Sequence, residues 1–248
     1  MSYNIALVGS TGAVGREMLE TLSYRKFPCK NVYALASKSS LGKEVSFGED
    51  KVLKVEALED FDFSKADIAL FSAGSNVSKN FAPIAGQKKC IVIDNSSFFR
   101  MDKDVPLIVP EVNPHHVSDF KKKNIIANPN CTTIISLMGI KPLLNIQKIK
   151  RVVATSFQSV SGAGNNGMDE LLTNTKRFFS NKKSLNMVFD KNITFNVIPK
   201  IGSFKSNGYT EEEIKFNNES RKILNDKNIL LSATTVRVPV IRSHSISC

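Results

Sequence analysis

Nowhere does this 248-residue chain hold the run of about 20 apolar residues that a membrane-spanning helix requires. Met1-Ser2-Tyr3-Asn4 leads straight into a strand-like segment, without the apolar core of a secretory signal. Cysteine is scarce. Cys29, Cys90, Cys131 and Cys248 show no CxxC or other paired spacing. That argues against a metal site or a disulfide framework and for free thiols in a reducing compartment, so a cytoplasmic location and no metal are expected. Acids are outnumbered, 23 against 34 bases, for a net charge of +11. Nucleic acid is still not the expected partner. The basic residues are spread thinly, Lys121-Lys122-Lys123 is the only triple run, and few interleave with aromatics. A lysine-rich solvated surface accounts for them, and its field would help to gather a phosphorylated or anionic substrate. Internal repeats and low-complexity segments are absent as well.

What is present is an ordinary globular composition, 42% apolar and 23% charged, in a chain long enough for two domains. The first half alternates. Asn4 to Val8, Val32 to Ala36, Ile68 to Phe71 and Cys90 to Ile93 read as buried strands, with helices over Ala13 to Arg25 and Asn76 to Lys88. Continuous apolar strands alternating with helices predict a parallel sheet covered on both faces, a doubly wound α/β domain. After Cys131 the pattern changes to long strands, Lys150 to Val160 and Leu230 to Val240, with helices over Asn166 to Phe179 and Thr210 to Asn225. This half reads as α+β.

Asn128-Pro129-Asn130-Cys131-Thr132-Thr133-Ile134 places one cysteine between the short apolar stretch Asn124 to Ala127 and a helix that begins near Cys131. The first turn of a helix offers unpaired N–H groups and partial positive charge. A thiol there is partly thiolate, the form that attacks carbonyls. A buried structural cysteine is the plainer alternative, and the polar flanks argue against it.

The first strand runs into Gly9-Ser10-Thr11-Gly12-Ala13-Val14-Gly15 and then the first helix. Glycines there allow a tight turn and close backbone approach, and the helix amino end receives a dinucleotide pyrophosphate. At the end of the second strand, Ala36-Ser37-Lys38-Ser39-Ser40 has no acid to bind a ribose 2′-hydroxyl and one cation, which favours the 2′-phosphate of NADP. Arg100 follows Asp94-Asn95-Ser96-Ser97-Phe98-Phe99 and could fork onto a phosphate or carboxylate. Gln158-Ser159-Val160-Ser161-Gly162-Ala163-Gly164 ends a strand in a turn suited to a substrate. Arg237 and His244 stand seven residues apart near the carboxyl end, the histidine able to move a proton near neutrality. His115 and His116, after Pro114, read as surface residues at a helix start.

In this order, these segments, with Val109-Pro110-Glu111-Val112-Asn113 and Arg237-Val238-Pro239-Val240, closely resemble aspartate-β-semialdehyde dehydrogenase along the whole chain. The resemblance implies an N-terminal Rossmann-like NADP-binding domain over 1–130 and an incomplete α+β substrate and dimerisation domain over 131–248. It implies Cys131 as nucleophile, His244 as general acid/base and Gln158 as the residue orienting the acyl intermediate. Arg237 would hold the substrate α-carboxylate and Glu212 its amino group. Lys215 and Arg100, with Asn95 nearby, would bind phosphate. Gly9, Thr11, Gly12, Ala13, Val14, Gly15, Ser37, Lys38, Ser39, Ser72, Ser161 and Gly162 would bind the cofactor. The implied reaction is NADPH-dependent reductive dephosphorylation of L-aspartyl-4-phosphate, feeding lysine, diaminopimelate, threonine and methionine synthesis. The implied partners are the small substrate and a second copy in a homodimer.

Two departures stand out. The chain stops at Ser243-His244-Ser245-Ile246-Ser247-Cys248, where the family usually runs on for about a hundred residues to complete a domain of ordinary size. Ser243 also stands in place of the usual glycine, and Ser39 where many members carry arginine. The shortened end makes an inactive remnant, binding nucleotide or nothing, the alternative expectation, and puts the dimer in question for this chain. The nearest enzyme alternative is N-acetyl-γ-glutamyl-phosphate reductase.

Overall fold

The computed structural model describes residues 1–248, which divide into two compact units, Met1–Pro129 and Asn130–Cys248. In the first unit, apolar Tyr3–Val8 forms β1 and Ala13–Tyr24 the helix α1, joined by the glycine turn. Cys29–Ala36 is β2, Glu44–Phe47 β3, Lys51–Ala57 β4, Ile68–Phe71 β5, Ser75–Gln87 α2, Ile91–Asp94 β6 and Ile125–Ala127 β7. They build a seven-stranded sheet in the order β3-β4-β2-β1-β5-β6-β7. All neighbours pair in parallel except β3 with β4. The expected α/β class and parallel dinucleotide-type sheet are therefore present.

This topology positions a site. β1 sits between β2 and β5, so the chain winds away from it in both directions and leaves a crevice beyond its carboxyl end, the usual place for a ligand in such sheets. Leu7, Leu19, Ala34, Ala36, Val45 and Val55 pack together beneath α1, each large side chain contributing about 2 kcal/mol by leaving water. The β3–β4 hairpin was not expected. Its strands are short and half polar, and only Val45, Val55 and Ala57 of them are buried. In the 3-10 helix Pro114–Lys122, His115 lies exposed and His116 half-buried.

In the second unit, Cys131–Leu144 forms α3, Arg151–Gln158 β8, Gly164–Phe179 α4, Glu211–Leu224 α5, Leu230–Arg237 β9 and Ser245–Ser247 β10. The sheet order is β10-β8-β9. β8 and β9 are parallel, with Gln158 opposite Arg237, and β10 is antiparallel with Ser245 opposite Phe157. The pairing therefore brings Gln158, Arg237 and the residue before β10, His244, to one end of a sheet. Strand β9 was expected to reach Val240 but stops at Arg237, because Pro239 has no N–H for the ladder. Inward-facing Ala154 and Ala233 pack on Phe216 of α5, with Ile246 of β10 against them.

Candidate active site

At the carboxyl end of β1, the three glycines do three different things. Gly9 has φ +89°, and a Cβ on it would lie 3.0 Å from the backbone of Ser72–Ala73. Gly15 lets α1 close onto the turn, since a Cβ would sit 2.2 Å from the Gly9 carbonyl oxygen. Gly12, just before α1, meets no such crowding: its nearest neighbour would be 3.4 Å away. No packing inside the protein requires glycine there, whereas close approach of a pyrophosphate to the helix amino end does. These residues fit a dinucleotide. Ser72 follows β5 beside them, its N–H and hydroxyl both donating to the Val8 carbonyl at 2.9 and 3.1 Å. Ser37 and Ser39, at the end of β2, share a hydroxyl contact of 2.9 Å. Lys38 is exposed and pairs with Asp60 at 3.3 Å, a surface pair of small energetic weight.

Also in the first unit, Asp94 is fully buried and organises the next segment. It accepts from the Ser78 and Ser96 hydroxyls at 2.7 and 2.8 Å and from the Ser96 N–H at 2.9 Å. Arg100 is buried too. Its Nε donates to the Asn128 carbonyl at 2.9 Å and an Nη to the Asn95 carbonyl at 3.0 Å, while Asn128 and Asn95 join side chain to side chain at 2.7 Å.

The second unit assembles the chemistry around Cys131, which is exposed at the first position of α3. Asn130 caps that helix: its Oδ1 accepts from the Thr132 N–H and hydroxyl at 2.9 and 2.6 Å. Its Nδ2 donates to Glu212 at 2.8 Å, and its backbone N–H donates to Glu219 at 2.6 Å. Glu212 also receives Gln158 Nε2 at 3.5 Å and the Lys215 ammonium at 3.3 Å. Gln158 and Arg237 are both buried, and Arg237 Nη1 donates to the Ser159 carbonyl at 2.7 Å. His244 Nδ1 accepts from the Ser159 N–H at 3.1 Å, which leaves the proton of the neutral ring to Nε2. Ser161 and Gly162, expected to contact cofactor, lie in this unit. A Cβ on Gly162 would stand 2.8 Å from Arg237 Nη1 and 3.6 Å from His244 Cε1.

The charges have identifiable effects. Burial pushes His244 below its ordinary value of 6.5 and the Arg237 cation adds to this, while the Ser243 backbone and Glu212 act the other way. Burial likewise lowers the Arg237 guanidinium, opposed by Glu212 and Cys131, and an arginine stays a cation at physiological pH. The buried Cys90 thiol is different in kind from the exposed Cys131: burial pushes it up to about 12, so it is inert. For His244 the sign is clear. A depressed pKa means the folded protein resists protonation as pH falls below 6.5, so stability drops through that window. The ring resonance that disappears in His244→Asn should have its midpoint below 6.5 by NMR. A midpoint above that would remove the desolvated, neutral ring.

Just before it, Ser243 has φ +80°, the left-handed region that favours glycine. Ser243→Gly should raise stability by about 1 kcal/mol, read as a shift of the urea midpoint, because the serine Cβ strains that backbone. An unchanged or lowered midpoint would show that the strain is relieved elsewhere. No group of three or more His, Cys, Asp or Glu is placed to hold a metal ion.

Comparison with known proteins agrees with this geometry. Residues 4–120 match the model of the semialdehyde dehydrogenase NAD binding domain, and residues 140–248 that of the semialdehyde dehydrogenase dimerisation domain. Aspartate-semialdehyde dehydrogenase of Rickettsia bellii is 54% identical over 246 residues, covering 99% of this chain and 72% of that protein. The chain belongs to the aspartate-semialdehyde dehydrogenase family. Among solved aspartate-semialdehyde dehydrogenases, form II from Vibrio cholerae, crystallised in complex with ASA, has a TM-score of 0.97 at 46% identity, covering 99% of this chain and 73% of that one. The Candida albicans enzyme, solved with NADP, has a TM-score of 0.72 at 26% identity, covering 100% and 71%. Membership of aspartate-semialdehyde dehydrogenase makes this an oxidoreductase-family chain with a nicotinamide-dinucleotide domain and a dimerisation domain. No helix is long and apolar enough to cross a membrane.

Several residues that hold this candidate site together were given no role from sequence. Asn130 could have been read as a helix cap, and Thr210-Glu211-Glu212-Glu213 as a capping box, which the structure contains. Glu213 additionally accepts from the Thr235 N–H at 3.1 Å, tying the start of α5, and so Glu212, to β9. Glu219 carries no local signal, since its partner lies far along the chain.

Proposed function

We propose that this chain reduces L-aspartyl-4-phosphate to L-aspartate 4-semialdehyde with NADPH, through a thioester on Cys131. The observation that carries this reading is the grouping, within one unit, of an exposed thiol at a helix amino end with buried Gln158, Glu212 and Arg237 and a desolvated His244. Cys131 attacks the acyl carbon as thiolate, which the helix amino end favours; the Sγ–C bond forms and the phosphate oxygen leaves. Arg237 forks onto the α-carboxylate and Glu212 takes the α-ammonium, while Gln158 orients the acyl group. Lys215, and Arg100 with Asn95, hold the phosphate. His244 moves the proton at the thiohemiacetal oxygen, after which the Cys131 bond breaks and the aldehyde leaves.

Bound NADPH supplies the hydride that reduces the acyl carbon. Gly9, Thr11, Gly12, Ala13, Val14, Gly15 and Ser72 would hold it at the end of β1 and β5, with Ser161 and Gly162 as further contacts. Preference for NADP over NAD rests on Ser37, Lys38 and Ser39 where an NAD site would carry an acid, and on the NADP of the Candida albicans relative. A buried carboxylate at Glu212 suits a free ammonium better than an acetylated amine, which favours the aspartyl substrate over N-acetyl-γ-glutamyl phosphate. The product would feed lysine, diaminopimelate, threonine and methionine synthesis in the cytoplasm. The dimerisation-domain match favours a homodimer.

The test is phosphate-dependent reduction of NADP by the purified chain with aspartate semialdehyde, run against a Cys131→Ala control. Activity above the control sustains the proposal. Silence overturns it, and preference for N-acetylglutamyl semialdehyde reassigns the substrate.

A further inference from the structure

A buried carboxylate in the second unit serves no step of the reaction described above. Glu170 on α4 is completely buried, at 0% exposure. One of its oxygens, Oε2, accepts from three consecutive backbone amides: Met187 at 2.9 Å, Val188, and Phe189 at 3.4 Å. The other, Oε1, has no hydrogen-bond partner in the protein. One helical turn further on, Asn174 is buried as well and grips Leu185 with both ends of its amide, accepting from the N–H at 2.8 Å and donating to the carbonyl at 2.7 Å. Residues 183–189 have no regular secondary structure. Positions i and i+4 of one helix thus hold an irregular segment against it.

Burying a carboxyl group with one oxygen unpartnered is costly, and packing alone does not require one. What these amide contacts fix is the place of Phe189. Its ring packs with Val160, Leu171 and Ile193, and its Cζ lies 3.3 Å from where a Cβ on Gly167 of α4 would stand. The Arg237 guanidinium lies over the same ring, 5.8 Å from its centroid. Arg237 is thereby held by the Ser159 carbonyl and by an aromatic ring, with Gly162 leaving room for its Nη1. Phe189 and Arg237 also line the same concavity, of about 290 Å³, with Lys200 and Asp190.

We propose that Glu170 is a positioning residue for substrate-carboxylate recognition: by gathering the amides of Met187, Val188 and Phe189 it seats the Phe189 ring against Arg237 and aims the guanidinium. The assignment rests on the reading of Arg237 as the carboxylate fork.

The test uses Cys131 as reporter and needs no turnover. Iodoacetate and iodoacetamide both alkylate a thiolate with loss of iodide, but only iodoacetate carries a carboxylate for Arg237 to attract. The measured quantity is the ratio of the two rates at Cys131, followed by peptide mass spectrometry. Glu170→Ala should lower that ratio about fivefold, the size of a lost cation–π contact, with the iodoacetamide rate within about twofold of wild type. Glu170→Gln, which keeps one oxygen for the amides, should restore the ratio. Phe189→Leu, which preserves apolar volume without the ring face, should reproduce the loss and decides the matter if Glu170→Ala does not fold. A ratio unchanged in Glu170→Ala or in Phe189→Leu, while Arg237→Ala lowers it, overturns the positioning role alone. A ratio unchanged in Arg237→Ala overturns the fork reading, and this proposal with it.

Discussion

Cys131→Ala is expected to lower aspartate-semialdehyde oxidation by about 10⁴-fold or more while leaving NADP affinity within about twofold of wild type, because covalent catalysis has no substitute nucleophile at the site. The fold should be indifferent to the change. Cys131 is exposed, the cap bonds of α3 come from Asn130 and not from the thiol, and alanine is the better helix former at that position. Loss of turnover therefore cannot be charged to unfolding, and a urea titration run beside the assay checks that. Cys90 makes the natural contrast. Its thiol is buried in the first unit and pushed up to about 12, so Cys90→Ala should cost stability through a small cavity and leave the chemistry intact. Turnover that survives Cys131→Ala would remove the nucleophile assignment, whatever the cofactor binding shows.

How much of this was legible in the sequence depends on how local each feature is. Tyr3–Val8, the glycine turn and α1 are specified within a dozen residues, by an apolar run, three glycines and a helical stripe, and they form as expected. Ile68–Phe71 and the helix starting at Cys131 are equally local. The β3–β4 hairpin was missed because its strands are half exposed and weakly patterned. β10 could not have been foreseen: Ser245–Ser247 is too short to carry a period and exists because β8 offers it an edge. The site follows the same division. Cys131, Gln158, Arg237 and His244 could be singled out as residue types suited to the chemistry, but the opposition of Gln158 and Arg237 comes from strand register. Partners separated by tens of residues, such as Glu219 on the Asn130 N–H, leave no trace in local pattern.

Asn130 carries the second large effect, and the general capping rule gives the wrong answer there. At a helix amino end Asp is as good a cap as Asn, and its charge suits the helix dipole. Here the amide end of Asn130 donates to Glu212 at 2.8 Å. Asn130→Asp keeps the oxygen that serves Thr132 but sets a second carboxylate against Glu212, and two such groups in contact cannot both ionise. One takes up a proton, so the pair's folded-state pKa rises above the unfolded value of about 4. A raised carboxylate pKa gives stability that is fully present below the unfolded value and is lost as pH rises through the folded one. The variant should thus match wild type near pH 4 and be weaker by about 3 kcal/mol at pH 8, in the range seen for uncompensated buried charge. Asn130→Ala should instead lose about 1–2 kcal/mol of capping at both values. Urea denaturation at the two pH values separates the cases, and an Asn130→Asp protein as stable as wild type at pH 8 would show that the Asn130–Glu212 contact does not hold the site.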